Sequence, residues 1–469
     1  MKTFMMFGLA TFVLASGCEK FESIPPNETE KPADTSVKPP EDTAVAEEVA
    51  EAPVTMLAVD AVAEASTKGL APWNIHLTWD DAPASTVVVH WSLDAAKVDG
   101  YIPRVWYYEE SEKVEDGGTV NVPFSTGHVA TGACRKYKEV FVGLMAGEDE
   151  FGICEVKITG LKPRSKYFYR AGTWQGDAAL PPGEGAELAG WKSFKSGVAK
   201  GSNEKVTLML AGDSRGGYAG IQANVDRLAA MNPDFWLFNG DMNESGKQAE
   251  WDSWFGAMAP VTENFVLMPV QGNHEMYANV FYEQFALPPE PELDADIQEY
   301  AWSIDYGRIH IIGMNSNTEE TVLSQKEWLE KDLAAATEDS DTDWILVMFH
   351  HPVYSASGKH GSTLRCKKEW VPIMEKYHVD MVFGGHDHNY ERTYPIRNDR
   401  ISEGDGIVYL VAGGFYSPGY SNGTDWWTVI SHHGDKHNYV YIEIEGNTLQ
   451  AVSYSGDGNE ILDEFTIQK

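Results

Sequence analysis

The stretch Val379-Asp-Met-Val-Phe-Gly-Gly-His-Asp-His-Asn-Tyr-Glu-Arg392 decides how this chain folds around its chemistry. A short run of apolar, β-favouring residues ends at Gly384 and Gly385, and His386 and His388 follow with Asp387 between them. The pattern predicts a buried strand that delivers two imidazoles into a loop. The glycines let the backbone turn closely, and the alternate spacing puts both rings on one side where extended geometry continues. Neutral imidazole is the commonest metal ligand, so the pair reads as part of a metal site whose carboxylates come from elsewhere. Two partly exposed loop histidines would fit this segment equally well, so the missing carboxylates decide the matter.

They stand at the ends of other strands. Val206–Ala211 runs into Gly212-Asp213, Phe235–Phe238 into Asn239-Gly-Asp241, Phe265–Val270 into Gln271-Gly-Asn-His-Glu275, and Trp344–Phe349 into His350-His-Pro352. Helical patterns over Ala219–Met231, Gln248–Met258, Ser324–Ala336 and Lys367–Tyr377 separate these strands and a further one at Ile309–Met314. Strands are also expected at Ile407–Val411, Tyr439–Ile444 and Leu449–Tyr454, the last two joined as a hairpin through Glu445-Gly-Asn-Thr448. This alternation predicts an α/β layered domain over residues 201–469. In such sheets the loops at the carboxyl ends of strands form the ligand crevice. One Gly-Asp is an ordinary turn. Ligand-type residues at five strand ends of one domain are not explained by turns.

Residues 69–200 follow a different rhythm, with short alternating runs at Ile75-His-Leu-Thr-Trp79, Thr86-Val-Val-Val-His-Trp91, Cys154-Glu-Val-Lys-Ile158 and Lys166-Tyr-Phe-Tyr-Arg170. Short strands between turn signals predict an all-β sandwich. Ile158-Thr-Gly-Leu-Lys-Pro-Arg-Ser-Lys-Tyr-Phe-Tyr-Arg170 resembles the turn and strand of a fibronectin type III domain. No cluster of ligand or nucleophile residues occurs here, so packing or shaping of the substrate approach is the expected role.

The chain has 469 residues, 71 acidic and 36 basic, for a net charge of −35. That balance argues against a nucleic-acid-binding surface, although a metal site could still invert the charge locally for a small phosphate ester. Residues 1–18 carry Lys2, an apolar run from Phe4 to Ala15, and the small-residue end Leu14-Ala-Ser-Gly-Cys18, the shape of an export signal. A cysteine after Ala-Ser-Gly resembles the bacterial lipoprotein signal, with Leu14 one place further upstream than that pattern has it. The resemblance implies export, with Cys18 lipidated as the only membrane anchor. Residues 19–68, rich in Glu, Pro, Thr and Ala, are expected to be a disordered acidic tether. In an oxidising compartment Cys134 and Cys154 could pair, leaving Cys366 as a buried apolar side chain.

Gly-Asp, Gly-Asp, Gly-Asn-His-Glu, His-x-Pro and Gly-His-x-His, in that order, resemble the signature of the calcineurin-like metallophosphoesterases. Gly385-His-Asp-His-Asn-Tyr-Glu-Arg392, with a sandwich in front, looks most like their purple acid phosphatase branch. The resemblance implies a layered β-sandwich flanked by helices and two metal ions, with iron, zinc and manganese the candidates. By resemblance Asp241 bridges the two, Asp213 and His388 hold the first, and Asn273, His350 and His386 hold the second. A shared carboxylate sets two cations roughly 3.5–4 Å apart, close enough to clamp an in-line displacement at phosphorus, with the bridging hydroxide as nucleophile. His274 and His360 resemble the family's phosphate-contacting and leaving-group-protonating histidines, and Asn273 also lies where substrate binds.

The chain departs from the family at two positions. Arg215 stands where other metallophosphoesterases carry a histidine, and Glu244 stands where purple phosphatases carry the tyrosine that gives their colour. Arg215 reads as a substrate-phosphate contact or a solvated loop residue, and Glu244 as a metal ligand, a neighbour of one, or a solvent-facing group. No tyrosinate–iron(III) chromophore is expected. His351 reads as a packing neighbour of His350, His432, His433 and His437 as surface residues, and Trp426 and Trp427 as packing. The implied function is an exported phosphatase acting on phosphate monoesters. The alternatives are a phosphodiesterase or nucleotidase on the same metals, and an inactive surface adhesion module.

Overall fold

Alternation along the strands divides the apolar residues of the C-terminal part between two cores. The strand Trp344–Phe349 sends Leu346 and Met348 to one face and Ile345, Val347 and Phe349 to the other. Ile309–Met314 splits the same way, with Ile309 and Ile311 against Ile312 and Met314. Period-two burial on both faces is what a sheet covered on two sides requires. The computed structural model describes residues 72–99, 102–112, 114–116, 119–121, 127–140, 150–174, 187–295 and 297–469. The export signal, Cys18 and the tether at 19–68 lie outside the described residues.

A seven-stranded sheet runs in the order Ala301–Tyr306, Ile309–Met314, Trp344–Phe349, Met381–Gly384, Val408–Ala412, Tyr390–Thr393, Thr428–His432. Its outer face is covered by the helices Lys326–Glu338 and Val371–Lys376 through Trp328, Leu329, Leu333, Ile373 and Met374. Its inner face shares one core with a ten-stranded sheet, to which Phe238 and Met268 contribute; Trp302 Nε1 donates to Pro269 O at 3.0 Å within that core. The α/β layered sandwich expected from the alternation is therefore present.

The ten-stranded sheet takes in strands from both parts of the chain. It runs Ile461–Gln468, Thr448–Tyr454, Tyr439–Glu445, Val206–Ala211, Phe235–Phe238, Val266–Pro269, Trp73–Thr78, Thr86–Asp94, Glu150–Thr159, Ala133–Lys138. Leu77 pairs in parallel with Val266, so the sheet continues from the C-terminal layers into the N-terminal all-β domain. The second N-terminal sheet is built on Lys166–Trp174 and Ile102–Glu109. Cys134 and Cys154 face each other across adjacent antiparallel strands and are bridged. Cys366 is buried, and burial pushes its thiol up to about 12.

One expected helix is found with shifted bounds, and one is broken in two. The pattern at Ser324–Ala336 corresponds to Lys326–Glu338, preceded by a short helix, Glu319–Ser324, that the sequence pattern does not predict. Gln325 sits at the junction, with its amide closing on both backbone groups of Asn315 at 3.0 and 2.7 Å. Lys367–Tyr377 resolves into Leu364–Glu369 and Val371–Lys376, because Pro372 has no N–H to continue the first helix. No helix among the described residues is long and apolar enough to cross a membrane.

Where the two parts of the ten-stranded sheet meet, His76 is fully buried, stacked on His90 at 4.7 Å and on Phe255 at 4.3 Å. Burial outweighs the carbonyls of Asn74 and Gln284 at its two ring nitrogens and lowers His76 from 6.5 to about 4. The unfolded chain therefore takes up a proton that the folded chain refuses. This contribution to stability is complete above 6.5 and is lost as pH falls towards about 4. Its size is about 3 kcal/mol. Urea midpoints measured at neutral pH and near the lower limit should show the loss, and His76→Gln should reduce the difference. An equal acid loss in the variant would exclude His76 as a source.

Candidate metal centre

The strands Val206–Ala211, Phe235–Phe238, Trp344–Phe349 and Met381–Gly384 each lead directly into a candidate ligand, and the chain leaves several of them through strained turns. Asp213, Asp241 and His386 have φ of 60°, 52° and 66°, a left-handed conformation that non-glycine residues avoid. Glycines make the close approach possible. A Cβ at Gly385 would meet Asp213 Oδ2, and one at Gly272 would meet Asp241 Oδ1. Strain held at three candidate ligands marks a place where side-chain direction overrides backbone preference.

Hydrogen bonds then fix each group. Asp213 accepts from His386 N with both oxygens at 2.9 Å. The buried Glu275 gathers the neighbouring loops, accepting from the N–H groups of Asp241 and Gly272 at 2.9 Å and of Asn243 at 3.1 Å. Asp241 Oδ1 accepts from His274 N at 3.0 Å. Asp387, between the two histidines, accepts from Ser355 Oγ at 2.7 Å and Gly361 N at 3.0 Å, tying the loop that carries His360 to the strand end.

The imidazoles are set for a cation. His350 Nδ1 bonds Asn239 O at 2.8 Å, which turns Nε2 towards Asp241 Oδ1 at 3.4 Å and Asn273 Oδ1 at 3.1 Å. His388 Nδ1 bonds Pro418 O at 2.7 Å, leaving Nε2 buried, without a hydrogen-bond partner, and 3.4 Å from Asp213 Oδ1. A carbonyl on one ring nitrogen that aims the other into the site is the usual support of a metal-binding histidine. Nitrogen and oxygen lone pairs converging without donors between them fit a metal ion. Ligand atoms of Asp213, Asp241 and His350 lie within 4.8 Å of one another, as do those of His350, His351 and His386.

The charges agree with this reading. Burial disfavours a charged His350, but the Asp241 carboxylate outweighs it and lifts the ring to about 9. Burial also works against an ionised Asp241, and there His350 prevails and holds the carboxyl far below its usual range. Burial raises Asp213 and, reinforced by the charge of His350, drives His386 far down, so His386 is a neutral ring able to donate a lone pair.

The remaining candidates surround this centre. His274 Nδ1 bonds Glu244 O at 2.6 Å, and its Nε2 lies 3.9 Å from Asp241 Oδ2. His360 is exposed, with its ring 4.2 Å from that of His386. The two departures from the family face each other. Arg215, 14% exposed, donates through one nitrogen to both oxygens of Glu244, 56% exposed, at 3.0 and 2.9 Å, and its Nε lies 3.8 Å from Asp241 Oδ2. The Glu244 carboxylate is thus engaged by Arg215.

Among residues given a minor role on sequence, His351 bonds Ser316 Oγ at 2.9 Å and stands 4.4 Å from the His386 ring. His432 bonds Leu462 O, and Trp427 packs on Tyr354 and donates to Glu391. Tyr420 gave no sequence signal. It stacks on His388 with ring centroids 4.0 Å apart and 11° between planes, and it accepts from Arg215 at 2.9 Å.

Residues 206–390 match the calcineurin-like phosphoesterase family, and residues 72–196 match the purple acid phosphatase N-terminal domain. The chain therefore carries a metallophosphoesterase domain behind a purple acid phosphatase N-terminal domain. Among curated proteins it is 26% identical over 341 residues to an uncharacterized protein of Mycobacterium tuberculosis, covering 61% of each. It is 27% identical over 328 residues to purple acid phosphatase 15 of Arabidopsis thaliana, covering 62% of this chain and 58% of the relative. The match thus spans about three fifths of those relatives' length. Purple acid phosphatase PPD1 from yellow lupin seeds has the same fold, with a TM-score of 0.69 over 85% of this chain and 74% of that one at 16% identity.

Proposed function

We propose that the chain is an exported hydrolase of phosphate monoesters that works with two metal ions. Asp241 is shared, Asp213 and His388 complete one site, and Asn273, His350 and His386 complete the other. The observation that carries this reading is the pair of imidazole nitrogens, His350 Nε2 and His388 Nε2, directed at buried carboxylates. When bound, the metals supply the charge that polarises phosphoryl oxygens and acidifies the attacking water. The protein's own groups do the rest. The Arg215 guanidinium, fixed beside Asp241, draws the phosphate into a chain whose net charge of −35 would otherwise repel it. His274 contacts the phosphate, and His360 on its exposed loop protonates the leaving oxygen. The all-β domain, fibronectin III-like in its sequence, shapes the approach, and a lipidated Cys18 holds the protein at the membrane. Filled ligand positions make an adhesion module the weaker reading.

Assaying the metal-loaded protein against a panel of monoesters and diesters tests this. Monoesters should turn over faster, and faster turnover of diesters would reassign the substrate. The iron-loaded protein should show no visible charge-transfer band, because the position of the colour-giving tyrosine holds Glu244, engaged by Arg215. Glu244→Tyr should gain the band. Colour in the wild-type protein would mean that another phenolate binds iron.

A further inference from the structure

We propose that Tyr420 is a positioning residue that locks Arg215 and His388 and offers its phenol proton to the substrate phosphate; this rests on the phosphoesterase reading above. Tyr420 is held from several sides at once. Its N–H donates to His388 O at 2.9 Å, its carbonyl accepts from Gly434 N at 3.1 Å, and the carbonyl of the nearby Pro418 orients the His388 ring. One face of the phenol lies on His388 at 4.0 Å, and Lys359 Nζ sits 3.9 Å from the ring centre. His388 occupies one face at that distance, so the ammonium is on the other. A ring packed between imidazole and ammonium has one orientation, and that orientation directs its oxygen at Arg215 Nη2, 2.9 Å away.

The hydroxyl accepts this bond, which leaves its own proton uncommitted among the described residues. Arg215 is braced from two sides by Glu244 and Tyr420, while its buried Nε has no hydrogen-bond partner and lies 3.8 Å from Asp241 Oδ2. The guanidinium Nε–H, 3.8 Å from the shared carboxylate, and the phenol O–H, on the same guanidinium's Nη2, are thus two donors without hydrogen-bond acceptors among the described residues. Such a pair suits the non-bridging oxygens of a tetrahedral dianion. Arg215 and Tyr420 together form a clamp on the rim of the first metal site, where the family's tyrosine and histidine ligands are both absent.

The test uses the full-length, metal-loaded protein and measures metal content, binding of inorganic phosphate by calorimetry, and steady-state kinetics. Tyr420→Phe keeps the ring and removes the oxygen. It should retain the metal content of the wild type, weaken phosphate binding by about 10-fold and raise KM by about the same factor, the scale of a hydrogen bond to a charged group, with kcat changed far less. Arg215→Gln should weaken phosphate binding at least as much, and the double variant should fall short of the product of the two effects, because one arrangement is lost twice. Tyr420→Ala, which also removes the stack on His388, should lose metal from the first site. Unchanged phosphate affinity in Tyr420→Phe would overturn the proposal, and so would loss of metal in that variant, which would make the phenol a ligand. A wild-type protein that binds phosphate but hydrolyses none of the ester panel would sink the proposed function and leave this measurement readable.

Discussion

Chelation should reduce phosphoesterase activity to background, and His350→Ala should reduce it by about 10³-fold or more, the scale at which loss of preorganised charge stabilisation is felt. His350 has the largest expected effect because it belongs to both ligand groups, is fully buried, and is aimed by Asn239 O at Asp241. Its removal leaves the Asp241 carboxylate buried without its nearest imidazole, so the metals are weakened together. Metal content should fall with activity, and added Mn²⁺, Zn²⁺ or Fe²⁺ should restore the chelated wild type and not the variant. Near-ultraviolet circular dichroism checks that the variant is folded. Full rate in the chelated wild type would end the metal-dependent account.

His274→Ala should slow turnover by about 10²- to 10⁴-fold, the usual range for a proton-transfer group, with metal content unchanged. His274 has its Nδ1 on Glu244 O, so the nitrogen directed at the cluster is Nε2, still 3.9 Å from Asp241 Oδ2. That is a position from which to touch a phosphoryl oxygen. Parallel measurements of kcat and metal by atomic emission separate the roles. A variant that loses metal as well would reassign His274 as a ligand.

What the sequence made legible follows from where the information lies. Strands buried on both faces, such as Val206–Ala211, Ile309–Met314 and Trp344–Phe349, are continuous apolar runs, and their observed bounds coincide with the expected ones. Their ends carry short motifs, so the candidate ligands were nameable before any geometry. Ala301–Tyr306 is not among the expected strands, although Tyr306-Gly-Arg-Ile309 closes a hairpin onto the next strand. The junction between helices at Gln325 and the helix break at Trp370 depend on a buried amide and on Pro372, of which only the proline leaves a local trace.

Pairings across long sequence distances were not legible. Nothing near Trp73 announces that Leu77 joins the strand at Val266. In sequence Arg215 and Glu244 are isolated departures from the family pattern, and only the fold sets them 2.9 Å apart. Tyr420 lies in a loop of ordinary polar composition, and its stack on His388 exists because the chain turns back there after the strand Val408–Ala412.

Anomalous diffraction from manganese-loaded crystals of the protein would show whether two metals share Asp241. Two peaks are predicted, roughly 3.5–4 Å apart, one beside Asp213 and His388 and the other beside Asn273, His350 and His386, with Asp241 between them. A single peak, or peaks away from Asp241, would rule out a shared carboxylate between two metals.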